Sequence, residues 1–112
     1  MKTDGIRRLR TLADLRADRS GQVLARAQAA IAALEARADA LRAPLEASDD
    51  MAAQIARDHH SRWRSDQLRQ LNVEIAGRRA HAEPLRKMHG RDRARAEVLE
   101  RLRTTGPGRS GR

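Results

Sequence analysis

An unbroken apolar stripe at heptad spacing is the feature that most constrains the fold of this chain. Between residues 24 and 45 the apolar positions recur in alternating steps of three and four: Leu24, Ala27, Ile31, Leu34, Ala38, Leu41 and Leu45. Such a stripe is narrower than the side of a globular core, and its width fits a seam between two helices. It therefore predicts a long helix that packs against a second helix.

The composition argues against a thick hydrophobic core. The 112 residues include no Phe, no Tyr and no Cys, and Trp63 is the only Trp. Because large side chains are so few, the apolar residues can fill a seam between helices but not the interior of a globule. The lack of Cys also excludes disulfides and thiolate metal sites.

No targeting or membrane segment is predicted. Residues 1–15 alternate Leu with Arg and Asp and contain no apolar signal core. No stretch approaches the roughly 20 apolar residues that cross a bilayer. We therefore expect a cytoplasmic protein.

The apolar pattern predicts an all-α fold, an elongated antiparallel two-helix coiled-coil hairpin with a disordered C-terminal tail. We expect the hairpin to occupy residues 1–103, with helix 1 at about 4–47, a turn at about 47–50 and helix 2 at about 49–103. Residues 104–112 are rich in Gly and Pro, which predicts disorder there. The pattern leaves open a break in helix 1 near Gly21 and a kink in helix 2 at Pro84.

A tight turn would place residues face to face when their numbers add up to about 97. Leu34 would then contact Trp63. The predicted seam contains nine residues from the two helices: Leu24, Ile31, Leu34, Leu41, Leu45, Trp63, Leu71, Ile75 and Leu85. The repeat in helix 2 is less regular, since Arg78 and Asp92 occupy positions where it calls for apolar residues.

Charge is distributed unevenly along the predicted hairpin. The turn is mildly acidic, whereas the end that holds both termini is basic. We predict that this basic end comprises Arg7, Arg8, Arg10, Arg86, Arg91, Arg93 and Arg95. Of the 24 basic residues nearly all are Arg, which a GC-rich genome would also produce.

The residues offer no catalytic or metal-binding motif. The four histidines, His59, His60, His81 and His89, lack the three- or four-residue spacing with a supporting ligand that a metal site on a helix needs. The sequence contains no glycine-rich loop, no nucleophile elbow and no pair of carboxylates in an apolar setting. We expect no enzyme activity, no catalytic or metal-ligating residues and no cofactor.

The middle of helix 2 carries a row of small apolar residues, Val73, Ala76 and Ala80, preceded by Arg69 at the same helical spacing. One interpretation is that these residues only flank the seam. The other is that they form a docking stripe for another protein. The spacing alone favours neither.

Four sequence features together are similar to those of the flagellar export stalk protein FliJ and its virulence-secretion relatives of the YscO type. They are the opening Ile6-x-x-Leu9-x-x-Leu12, the Ala/Leu seam, the Arg62-Trp63 pair and the closing run AEVLERL at 96–102. The resemblance spans residues 5–103. It implies a stalk-like coiled coil of the type III export apparatus that couples the export ATPase ring to the export gate and handles export chaperones.

The resemblance also implies a role for two sets of residues and a location peripheral to the inner membrane. The gate-docking stripe would be Arg69, Val73, Ala76 and Ala80, although Arg69 stands where the family pattern has an apolar anchor. The basic end would face the ATPase. A flagellar and a virulence-associated system are equally compatible with these residues.

Two other functions are compatible with the residues. A basic coiled coil could associate with nucleic acid, although acidic residues interrupt its Arg-rich faces and no aromatic platform is available for base stacking. Alternatively, both apolar stripes could pack against copies of the chain in a homo-oligomeric scaffold.

Overall fold

The computed structural model describes the backbone of residues 2–44 and 50–110, with side chains from residue 4 to residue 105 outside that gap. Helix α1 spans Lys2–Leu41 and helix α2 spans Met51–Ser110, and these described residues contain no β-strand. The two helices pair antiparallel. The predicted all-α hairpin is thereby confirmed. In the described part of the chain, neither helix has the length of apolar sequence that crossing a membrane requires.

Helix α1 ends at Leu41, well before the predicted end near residue 47. The N–H of Arg42 is shared between the carbonyls of Ala38 and Asp39, both at 3.1 Å, and the chain then leaves helical geometry. Pro44 explains this early end, because a proline disfavours the helical conformation of the residue before it. The predicted turn at 47–50 and the predicted seam residue Leu45 lie almost wholly outside the described residues.

Helix α2 begins directly after Asp50, which is its N-cap. The Asp50 carboxylate accepts a hydrogen bond from the N–H of Ala52 at 3.2 Å, and its carbonyl accepts one from the N–H of Gln54 at 2.8 Å. These bonds satisfy N–H groups that the first helical turn leaves without an intrahelical acceptor. Helix α2 thus begins at Met51, two residues after the predicted start near residue 49.

Helix α2 continues to Ser110, beyond the predicted end of helix 2 near residue 103. Thr104 and Thr105 donate their hydroxyl hydrogens to the carbonyl of Arg101, at 3.1 and 2.6 Å, which suits a helical backbone. Helix α1 runs without a break through Gly21, and α2 remains helical through Pro84.

The chain divides into two compact units, and both helices contribute to each. The second unit, residues 28–81, has a small apolar core of Leu34, Ala38, Leu71 and Ile75, all less than 9% exposed. Ile31, Leu41 and Leu68 pack against that core. Across the same pair of helices, Arg79 forms an ion pair with Glu35 at 2.8 Å.

The predicted register is wrong. Leu34 packs with Leu71 and Ile75 rather than with Trp63, which is 51% exposed and stacks on His60 with 5.4 Å between ring centroids. The register differs from the prediction because the connection between the helices is longer than a tight turn. The nine residues between α1 and α2 could span about 30 Å if extended, the length of about 20 helical residues. A connection of that reach does not fix the pairing, so packing of the apolar side chains decides it.

The first unit combines residues 1–27 and 82–112. Among its residues with described side chains, the buried apolar ones are Ala17, Leu24 and Ala82, each 9% exposed, and Leu85 is half-buried. Because two of the three are alanines, the helices of this unit are held together by little apolar surface. Polar contacts between α1 and α2 are correspondingly prominent in this unit.

Candidate protein-interaction surface

A buried polar layer crosses the first unit. Ser20 is 8% exposed, and its hydroxyl lies 3.1 Å from Nδ1 of His89 and 3.2 Å from the carbonyl of Ala17. One turn away, Asp92 is 5% exposed, with Arg95 at 3.9 Å. Asp92 thus occupies the buried position where the helix 2 repeat calls for an apolar residue. A part-buried polar contact such as that between Ser20 and His89 favours one register of the two helices over others.

The close approach of His89 leaves little room for a side chain at position 21. A Cβ atom built on Gly21 would lie 3.0 Å from Cε1 of His89 and 3.5 Å from each of its ring nitrogens. The imidazole therefore packs directly over the backbone of α1, in the space that any other side chain would occupy.

Beside this layer, an apolar groove opens between α1 and α2 near the two chain ends. We call it the terminal groove. Its volume is about 740 Å³. Its apolar lining consists of Leu9, Leu12, Ala13, Ala94, Val98 and Leu99. Leu9, Leu12 and Val98 are 55%, 63% and 51% exposed. Leucines exposed side by side in a concave surface are typical of a surface that meets another protein.

Arginines rim the terminal groove, and the groove continues into a second cleft on the same face. Arg16, Asp92 and Arg95 line both concavities. The second cleft adds Arg19 and Arg91, together with the side chains of Val23, Leu85 and Met88. Among the described residues, Arg16, Arg19 and Arg91 form no ion pair.

The whole net charge of the chain resides in the first unit. Residues 1–27 and 82–112 contain 16 basic and 7 acidic residues, which gives the +9 of the full chain. Residues 28–81 contain 8 of each and are neutral. The first unit is therefore the part of the chain that would attract an acidic partner.

The structure does not gather the predicted basic residues into one patch. Arg91 and Arg95 lie at the cleft beside the terminal groove, whereas Arg10 and Arg93 line a different depression that also contains Glu97. Four of the seven have carboxylate partners: Arg10 with Glu100, Arg86 with Glu83, Arg93 with Glu97, and Arg95 with Asp92. Arg7 and Arg8 are exposed on α1.

Glu100 on α2 forms an ion pair that connects the two helices of this unit. It accepts hydrogen bonds from Nε and Nη2 of Arg103, at 3.3 and 2.9 Å, and also pairs with Nε of Arg10 on α1. The hydrogen bonds from Arg103, with the added charge of Arg10, hold the pKa of Glu100 below its ordinary value of 4.5. The same contact raises the pKa of Arg103.

The predicted docking stripe lies in the second unit and faces outward. Arg69, Val73, Ala76 and Ala80 are all exposed, and Val73 is 75% exposed. Arg69 is paired with Asp66 at 3.0 Å. The row is therefore accessible, although it presents little apolar surface beyond Val73.

Sequence reasoning missed the terminal groove. Leu9, Leu12 and Leu15 recur in steps of three, rather than in the alternating steps of the heptad pattern. Leucines in consecutive steps of three cover a wider arc of a helix than a two-helix seam can bury. That excess of apolar arc was the available signal.

Within the described part of the chain, no three His, Asp or Glu side chains converge on a point where they could hold a metal ion. Comparisons of the chain with protein-family models, curated proteins and solved structures find no match. The case for a function therefore depends on the surfaces described above and on the resemblance in the sequence.

Proposed function

We propose that this chain is a non-enzymatic component of a type III protein export apparatus, a stalk-like helical hairpin that couples the export ATPase ring to the export gate and engages export chaperones. One observation carries the proposal. The unit that holds both chain ends has the entire +9 net charge and the terminal groove, while the other unit is neutral and exposes the row at 69–80.

Two surfaces of different chemistry suit a protein that joins two partners. The basic unit is attracted to an acidic surface over a distance of about one Debye length, roughly 8 Å at physiological salt. The row of Val73, Ala76 and Ala80 supplies a weakly apolar contact instead. In this proposal the basic unit contacts the ATPase ring and the row contacts the gate.

Pulldown with the purified export ATPase and the purified cytoplasmic domain of the gate tests the proposal. We expect both proteins to be enriched by the intact chain. Val73→Asp should abolish capture of the gate domain and spare the ATPase, whereas Arg7→Glu with Arg8→Glu should do the reverse. Ile55→Asp is a matched control, because Ile55 is an exposed apolar residue of α2 outside the row. Enrichment of neither partner refutes the proposal.

The arginines without ion pairs also favour a second candidate, association with nucleic acid. Arg16, Arg19 and Arg91 lie on one face of the first unit and are available to phosphates. Binding of that kind weakens steeply as salt rises, because counterions are released from the phosphates. A mobility shift on duplex DNA that persists at about 150 mM salt would support this candidate, and loss of the shift would remove it.

A homo-oligomeric scaffold is a third candidate, favoured by the exposed apolar residues of α2, among them Met51, Ile55 and Trp63. Sedimentation velocity over a wide concentration range tests it. A species that stays monomeric throughout removes the scaffold from consideration.

A further inference from the structure

We infer that the terminal groove binds an amphipathic helix of a partner protein, with apolar anchors that enter the groove and acidic residues that flank them. The groove lies between two antiparallel helical segments, so a third helix laid into it would complete a three-helix arrangement. The inference does not depend on the export function, since it concerns the chemistry of this surface alone.

The apolar side chains that line the terminal groove remain exposed, so the unit itself does not cover them. Leu9, Leu12 and Val98 are each at least half exposed, and they converge on one concavity of about 740 Å³. Such a volume lies within the range of surfaces that accept apolar anchors from a ligand. The 15 residues from Leu9 to Val23 on α1 measure about 21 Å. A bound helix of about four turns would cover the terminal groove and the adjoining cleft.

The charges at the rim select the partner. Arg16 and Arg95 line the terminal groove, and Arg19 and Arg91 continue the row along the adjoining cleft. Asp92 is the one acidic residue among those that line the two, and it is 5% exposed. A helix with Glu or Asp beside its apolar anchors would place carboxylates against these guanidinium groups, whereas a basic helix would be repelled.

The same charges argue against a second copy of this groove as the occupant. Two such faces apposed across a twofold axis would bring Arg16, Arg19, Arg91 and Arg95 of each copy together, which is a like-charge arrangement. Self-association through this face would need bound anions to neutralise the arginines. A partner helix with acidic flanks supplies that negative charge itself.

The test is selection from a display library of helical peptides about 18 residues long, with Leu fixed at heptad spacing and Glu, Lys or Ala allowed at the flanking positions. The intact chain is the bait, and peptides that also bind the Leu12→Asp variant are removed. We expect enrichment of peptides with Glu at the flanks. The best peptide, labelled for fluorescence anisotropy, then gives the dissociation constant for each variant.

Leu12→Ala should weaken binding of that peptide by about tenfold, because the peptide would no longer bury the Leu12 side chain. Leu15→Ala is the matched control and should change the dissociation constant by less than about twofold, since Leu15 is equally exposed, at 60%, but does not line the groove. Because alanine is the best helix former, neither variant should lose helix content in far-UV circular dichroism. Arg16→Glu should shift the library preference from Glu towards Lys.

Three results would overturn the inference: no enrichment, enrichment of Lys-flanked peptides by the intact chain, or equal losses for Leu12→Ala and Leu15→Ala. Co-sedimentation with phosphatidylserine vesicles is the comparison for a lipid surface. Vesicle binding that requires Leu12, with no peptide enriched, would assign the groove to a membrane and reject the helical partner. The export proposal would be refuted by a different result, that of the pulldown, and none of the pulldown variants changes Leu12 or Leu15.

Discussion

Replacement of Gly21 by alanine tests whether the Ser20–His89 layer holds the first unit together. In an open helical position, Gly→Ala stabilises a helix by about 0.8–1.0 kcal/mol, because glycine loses more backbone freedom on folding. At Gly21 the new methyl group would meet Cε1 of His89 at 3.0 Å. The ring must then move, and its hydrogen bond with the Ser20 hydroxyl, now 3.1 Å, lengthens or breaks.

The opposing contributions can be compared. Loss of one neutral hydrogen bond costs about 0.5–1.5 kcal/mol, and a side chain displaced from its rotamer costs a further 0.5–1.5 kcal/mol or so. Together they equal or exceed the helical gain of about 1 kcal/mol. We therefore expect Gly21→Ala to leave stability unchanged or to lower it by up to about 2 kcal/mol.

Gly90→Ala is the matched control, since Gly90 lies on α2 in the same unit and nothing stands within 4 Å of its would-be Cβ. It should raise stability by about 1 kcal/mol, or a few degrees in the melting temperature. Thermal and urea unfolding followed by circular dichroism measure both variants. In a His89→Ala background, Gly21→Ala should also stabilise. Equal stabilisation by Gly21→Ala and Gly90→Ala in the presence of His89 would refute the reasoning.

Two further predictions concern the core and the ionic contact. Leu71→Ala should lower the free energy of unfolding by about 2–5 kcal/mol because Leu71 is 4% exposed in the core, whereas Val73→Ala, at a 75% exposed position, should change it by less than about 0.5 kcal/mol; urea unfolding compares them, and similar losses would contradict the core assignment. Glu100→Gln should destabilise the chain near neutral pH, because the folded pKa of Glu100 is depressed by Arg103 and Arg10 and its stabilisation is present above the ordinary value of 4.5. As pH falls through the depressed pKa this difference should vanish; melting curves recorded from neutral to acidic pH check it, and a difference that persists in acid would exclude the ionic origin.

The helices themselves were predictable from sequence, because heptad spacing and an Ala-rich composition are local signals. The stripe residues Leu24, Leu34 and Ala38 are buried, since they face the opposite helix in their respective units. The approximate start of α2 was also predictable, because capping depends only on residues within one helical turn. Features that depend only on neighbouring residues can be predicted without knowing the partner helix.

The pairing of the helices was not predictable, because it depends on how side chains from distant positions fit. Ala38, 1% exposed, lets α1 approach Leu71 and Ile75 closely, and that fit outweighs any preference for a short turn. The register that a tight turn would impose places Trp63 in the seam, opposite Leu34. Its stacking on His60 leaves it half exposed, and no spacing rule along one helix could have distinguished these outcomes.

The terminal groove stays open because the first unit buries little apolar surface. The same shortage of buried apolar surface makes the polar layer of this unit necessary. Ala17 and Ala82 bury so little apolar surface that they do not draw the helices together over Leu9 and Leu12, which remain exposed. The Ser20–His89 hydrogen bond and the Arg10–Glu100 ion pair hold the helices at a defined separation instead. A unit joined by directional polar contacts can keep its leucines available, whereas a unit joined by leucines would bury them. This division of roles is why we assign the binding of an amphipathic helix to the first unit and folding stability mainly to the second.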